Sequence, residues 1–303
     1  MSDVTHQADW CPGRSEGADV DQRWSPRVRR RRLGIELRRL RESGGLTIEQ
    51  VGKHLEVSKP TVSRMETGRV GVKASTLRHL LDLYGVAEAE REPLVTLARQ
   101  GRELGWWHKD ADALPEWFEP YVGLEAEATA LRNFTIDLIP GMLQTEGYAH
   151  AVYEAGRPPM TEREIERGVA VRMARQRRLA EENPPALWAV IDEAALRRQI
   201  GGPAIMRDQL LRLVDLAALP NITVQVLPCQ AGAHAAMTCP FIVLEFESDP
   251  AVVYFETLTD GIYLDKPSEI SRYTLVFNHL RASALSEQRS VALMVKAAKE
   301  VEQ

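Results

Sequence analysis

The segment Leu46 to Gly68, LTIEQVGKHLEVSKPTVSRMETG, constrains this chain more than any other stretch. Thr47 offers a hydroxyl where a helix can start, and Val51 and Leu55 then fall on one face of that helix. Gly52 sits between them, where a missing side chain lets a second helix cross closely. Val57 fills a turn. Ser58 begins the second helix with Pro60 tolerated in its first turn, and Val62 and Met65 point back inward. Gly68, free to take a positive φ, ends it. The result is a helix-turn-helix, two short helices crossed over a tight turn. Its outward face carries Lys59, Pro60, Thr61, Ser63 and Arg64, on a helix that fits the major groove of B-DNA, about 12 Å wide.

The net charge of -5 over 303 residues conceals a division that supports this reading. Residues 1 to 22 carry a net of -4, and residues 23 to 104 carry 18 Lys and Arg against 10 Asp and Glu, a net of +8. Residues 105 to 303 hold 19 against 28, a net of -9. A basic module joined to an acidic one implies a polyanion partner for the first and a different partner for the second. The Arg27 to Arg32 run is open to two readings: an arm tracking phosphates or entering a minor groove, or a solvated start to the first helix.

The length and a hydrophobic content of 44% favour about two domains with real cores. Three cysteines, Cys11, Cys229 and Cys239, form no Cys-x-x-Cys pair, which argues against a disulfide framework and a structural zinc site. Cys229 and Cys239 are expected to be half-buried small apolar residues, and no metal or cofactor is expected. No run reaches the roughly 18 apolar residues of a membrane span, and the acidic start is unlike a signal peptide. The expected location is cytoplasmic.

Along the chain, residues 1–26 read as a disordered tail, 27–104 as the DNA-binding domain and 105–303 as a regulatory or partner-binding domain. Helices are expected at Leu33–Glu42, from Thr47 through Leu55, from Ser58 to Gly68, in a fourth segment capped by Ser75, and at Glu88–Arg102. Further helices are expected at Leu124–Leu138, Thr145–Ala155, Thr161–Glu182 with a capping box from Thr161 and Glu164, Pro203–Leu219, Ser268–Ala284 and Ser286–Val301. Strands are expected at Ala186–Ile191, Ile222–Leu227, Phe241–Phe246, Val252–Glu256 and Ile262–Leu264. The fold class is therefore multidomain: an all-α helix-turn-helix domain followed by an α+β domain.

The ordered run S-x-P-T-V-S-R-M-E-x-G at Ser58 to Gly68 resembles the Cro and phage-repressor, or XRE, type of helix-turn-helix. That resemblance implies that Lys59, Pro60, Ser63 and Arg64 approach base edges, and that Thr47, Thr61, Thr67, Arg69 and Lys73 lie near phosphates. It also implies that Glu66 is a structural acid, paired with Arg38 or Arg41. Two positions depart from the pattern. Glu56 stands where the family usually has Gly in the turn, and Ile48-Glu49 replaces a Gln near the start of the second helix.

The second domain offers scattered chemistry. Trp106, Trp107, Trp117, Phe118 and Tyr121 crowd one short stretch, which suits an aromatic clasp or a partner groove. Asp192 and Glu193 fall at a strand end, His234 lies in a Gly-rich loop, and Glu256 follows a strand. No motif of a known catalytic type joins them. Arg172, Arg175 and Arg178, at i, i+3 spacing, read as a solvated helix face. The stretches IPGMLQTEGYAHAVYEAG, IDEAALRRQIGG and PNITVQVLP are similar to the C-terminal domain of an actinobacterial family of helix-turn-helix regulators described as antitoxin-like. That resemblance implies transcriptional regulation through a small protein encoded nearby; it supplies no catalytic residue.

These readings converge on a DNA-binding regulator, a homodimer on an inverted-repeat operator, controlled by a small partner protein or a metabolite. Trp106, Trp107, Trp117, Tyr121, Glu193, His234 and Glu256 are its candidate partner or ligand contacts. The competing class is an enzyme tethered to DNA, which requires Glu193, His234 and Glu256 to converge in a cleft. A bare dimerisation scaffold would have no pocket.

Overall fold

The computed structural model describes residues 26–100, 115, 117–156, 159–247 and 249–301. Residues 1–25 of the expected tail, Cys11 among them, and Trp106 and Trp107 lie outside the described residues, while Pro26 belongs to the first helix. Helix α1 spans Pro26–Ser43, so the arginine run forms its first turns instead of preceding it. Arginine is a good helix former and proline fits a first turn, which lets the helix extend beyond its apolar stripe. Helices α2 (Ile48–His54), α3 (Lys59–Glu66), α4 (Ala74–Leu83) and α5 (Glu88–Gln100) follow. Leu33 and Leu37 of α1 bury against Val51, Val62, Leu77, Leu81 and Leu94, one small core shared by five helices. Helix α4 starts one residue before the expected cap. Lys73 takes the extended N-cap conformation without a side-chain cap bond, and Ser75 lies inside the helix.

The second unit opens with α6 (Glu119–Glu125) and then β1 (Ala130–Thr135), where a single helix over Leu124–Leu138 was expected. It continues through α7 (Glu146–Glu154), α8 (Glu162–Gln176), β2 (Ala186–Asp192), the short α9 (Glu193–Arg197), α10 (Pro203–Leu216) and β3 (Ile222–Leu227). Strands β4 (Phe241–Glu245), β5 (Val252–Glu256) and β6 (Gly261–Leu264) precede α11 (Pro267–Ser283) and α12 (Glu287–Glu300). The six strands form one mixed sheet in the order β3-β2-β1-β4-β5-β6. Strands β1, β2 and β3 run parallel, and β4 turns the sheet antiparallel by pairing with β1.

The misreading of β1 has a physical cause. A strand at the centre of a sheet is covered on both faces, so it loses the polar alternation that marks a half-exposed strand. Leu131 belongs to the core on one face, with Leu210 of α10 and Met294 of α12. Phe134 belongs to the core on the other, with Phe277 and Leu280 of α11. The sheet is thus the middle of three layers, and the class is all-α followed by α+β. The two units touch where α1 packs on α6 and where Arg31 Nη1 donates to the carbonyl of Pro250 at 3.1 Å.

Candidate functional site

The outward helix α3 is aimed by the turn before it. Thr47 caps α2, its hydroxyl accepting from Gln50 N–H at 3.2 Å while Gln50 Oε1 accepts from Thr47 N–H at 2.8 Å. A glutamine does tie down this helix start, but it is Gln50, after the Ile48-Glu49 pair. The chain then turns through Glu56, whose φ of 54° is left-handed without the help of glycine. Gly52 serves that turn: a Cβ there would lie 2.9 Å from the Val57 carbonyl, whereas Val62 of the crossing helix would be 3.7 Å away. Gly68 at φ +69° closes α3 against α1, where a side chain would meet the Arg31 backbone at 2.7 Å.

Behind α3, Glu66 accepts two hydrogen bonds from Arg41, which also donates to the Leu46 carbonyl at 2.8 Å. Arg38 pairs instead with Glu42 on the surface. On the front, Lys59, Pro60, Ser63 and Arg64 are exposed, Thr61 is half-buried, and Thr47, Thr67, Arg69 and Lys73 are exposed around them. Lys59 rests on Glu49 at 2.9 Å, and Arg64 donates weakly to the Pro60 carbonyl and the Thr61 hydroxyl, both at 3.3 Å. Exposed contacts of this kind are worth at most about 1 kcal/mol, so neither cation is firmly committed to its present partner.

The arginine run is the start of the first helix, as one reading had it, but it is solvated only in part. Arg29 and Arg31 are buried, Arg31 against the Pro250 and Ala251 carbonyls, so part of the run docks onto the second unit. The Arg172, Arg175, Arg178 stripe also turns inward. Arg175 makes a buried bidentate pair with Glu125 at 2.6 and 2.7 Å, Arg178 donates to the Ala128 carbonyl, and Arg172 donates to Gln144 while lying over the Tyr153 ring. Glu125 stands 50 positions from Arg175, beyond the reach of helical spacing arguments.

Around this pair the described aromatics form a clasp. Phe118 meets Tyr121 at 5.2 Å, Tyr121 stacks on Tyr254 at 4.3 Å, and the Tyr121 hydroxyl donates to Glu125. Trp117 is half-buried beside Phe118. Glu193 is the first residue of α9. Partial burial favours its neutral form, yet Arg197 and the Cys229 N–H hold its pKa below the ordinary value. His234 has Nε2 3.9 Å from Asp192 Oδ2 and its ring edge-on to Phe134. Glu256 accepts from the Tyr254 hydroxyl at 3.0 Å. Among the described residues no hydrogen bond or ion pair joins any two of Glu193, His234 and Glu256, and no group of three or more His, Cys, Asp and Glu could hold a metal. Cys229 is exposed, not half-buried, while Cys239 is intermediate.

Two hollows adjoin α6. One, about 310 Å³, lies between the units and is lined by Thr67, Gly68 and Arg69 on one side and Trp117, Pro120 and Asp265 on the other. The second, about 280 Å³, lies within the α+β unit and is lined by Tyr121, Asn133, Thr135, Gln144, Arg172 and Glu256 among others. Glu256 is exposed to solvent, yet partial desolvation of its carboxyl pushes its pKa upward. Asn133, Thr135 and Gln144 were not foreseen, because isolated polar residues in an apolar run give no periodic signal.

Comparison with known families matches residues 32–94 to a "Helix-turn-helix domain" and residues 118–296, more than half the chain, to a "Domain of unknown function (DUF5753)". No match was found among curated proteins or solved structures. The helix-turn-helix domain points to a DNA-binding regulator rather than an enzyme. No helix among the described residues is long and apolar enough to cross a membrane.

Proposed function

The chain belongs to the DUF5753 family, and we propose that it is a sequence-specific, cytoplasmic transcriptional regulator of the XRE type. The observation that carries this reading is the exposed front of α3. It presents Lys59, Pro60, Ser63 and Arg64 to solvent, with Thr47, Thr61, Thr67, Arg69 and Lys73 disposed around it for phosphate contact. Two copies bind an inverted repeat with half-sites about one helical turn apart. The C-terminal unit acts in an antitoxin-like way, taking up a small partner protein or a metabolite that biases the placement of the two DNA modules. Its acidic balance and the two hollows beside α6 support that role.

Selection of genomic fragments by the full-length protein, followed by sequencing, tests the reading. An enriched inverted repeat is expected, and Arg64→Ala and Lys59→Ala should each cost about 1–3 kcal/mol of affinity for it with the melting temperature held. Absence of any enriched sequence, or full affinity in the double variant, overturns it.

A further inference from the structure

The cavity inside the α+β unit combines an apolar body with polar groups that the fold leaves unused. Asn133 lies on the face of β1 that also carries Leu131, in register with Ile242 of β4, which itself faces Tyr254 of β5. It is only 6% exposed, and its Oδ1 has no hydrogen-bond partner. Thr135 Oγ1, two residues on at the strand's C-terminal end, and Arg172 Nε, across the cavity on α8, are likewise buried without partners. A buried polar atom left unpaired is destabilising, and here three such residues border one hollow. Together they offer two donors and an acceptor to the hollow, with Phe118, Tyr121, Phe241 and Tyr254 forming aromatic walls.

The charge of the ligand follows from the two arginines. Arg175 is neutralised by Glu125, whereas Arg172 has no carboxylate partner among the described residues and gives one hydrogen bond, to Gln144. An arginine whose Nε is buried without a partner in a crowded cavity is suited to a carboxylate. Two carboxyls share the hollow. Asp137 is exposed at the rim, screened by water, and Glu256 is held by the Tyr254 hydroxyl. Desolvation raises the pKa of Glu256, so it holds its negative charge less firmly than a free carboxylate does. An apolar cavity of about 150 Å³ admits benzene, so about 280 Å³ has room for one or two rings and a polar head.

We propose that this cavity binds a small aromatic carboxylate, its head group on Arg172 and the Thr135 hydroxyl, and that α6 transmits its occupancy to the DNA-binding unit. The second half rests on the function proposed above and on the two faces of one segment. Phe118 and Tyr121 line the ligand cavity, while Trp117, Pro120 and Leu124 line the cleft shared with Thr67, Gly68 and Arg69 at the end of α3. A ligand that presses on the first face changes what the second face offers to the DNA module, which is the differential contact a shift in affinity requires.

Calorimetric titration of the full-length protein with benzoate, phenylacetate and indole-3-acetate, against benzylamine and tryptamine, tests the site without DNA. The acids should bind and the amines should not. Arg172→Gln should weaken acid binding at least tenfold. Thr135→Val, similar in shape, should keep or raise the melting temperature while weakening acid binding, since it removes an unpaired hydroxyl that the fold does not need. Binding of none of the acids, equal binding of the amines, or unaltered binding by both variants overturns the site. Where an acid binds, saturating amounts should change affinity for the selected DNA by about 5 to 150-fold. Unchanged DNA affinity removes the role of α6. If the protein binds no DNA at all, the regulator reading fails, and the acid titration still decides the site.

Discussion

Arg41 and Glu66, 25 positions apart, close on each other in a bidentate pair at 2.6 and 3.0 Å, with side chains only 8% and 6% exposed. The pair fixes α3 to α1 from behind, so the face that carries Lys59 and Arg64 is oriented by a contact that never reaches it. Removing one partner leaves the other charge buried and alone. Glu66→Ala should therefore destabilise the helix-turn-helix unit by about 3–5 kcal/mol, measured by denaturant unfolding, and lose DNA binding with the fold. A variant that binds DNA normally and unfolds at the wild-type denaturant midpoint would show that the pair is not what anchors α3.

Glu56 occupies the left-handed turn between α2 and α3 at φ 54°. Glycine adopts that conformation without the crowding of a Cβ, so Glu56→Gly should stabilise the protein by about 1 kcal/mol, offset in part by the greater entropy of glycine in the unfolded chain. Thermal unfolding gives the sign directly; a lower melting temperature would mean that the glutamate side chain contributes more than its backbone strain costs.

The charge division predicts a steep salt response. If each module of a dimer neutralises several phosphates, log affinity against log salt should fall with a slope of about -5 to -9 for the full-length protein. Lys73→Ala, at an exposed position beside α3, should make the slope shallower by about 1 to 2 in the dimer. A flat response would mean that the basic face does not meet phosphate.

Glu256 links stability to pH. Its pKa is raised in the folded state, chiefly by desolvation, so the folded form binds a proton more tightly than the unfolded chain does. That contribution is present below the ordinary carboxyl pKa and is lost as pH rises through the raised value. Glu256→Gln, which keeps the shape without the ionisation, should melt higher than the wild type near pH 8, and the gap should close toward pH 4. A gap that is constant across this range would remove the ionisation argument.

The helix-turn-helix was legible because its information is local. Thr47, Val51, Gly52, Val57, Ser58, Val62 and Gly68 act through spacing within two adjoining helices, and composition alone divided the basic module from the acidic one. The strands β2, β3 and β5 and the capping box of Thr161 with Glu164 were legible for the same reason. Tertiary structure decided the rest. It made Ala130–Thr135 a central strand, set Glu125 against Arg175, turned Arg29 and Arg31 inward, and gathered Asn133, Thr135 and Arg172 around one cavity. Each of these depends on a neighbour far along the chain. A periodic pattern tells which face of an element is apolar, but whether a polar residue on it is paired, buried or left for a ligand is fixed only when another element arrives to cover it.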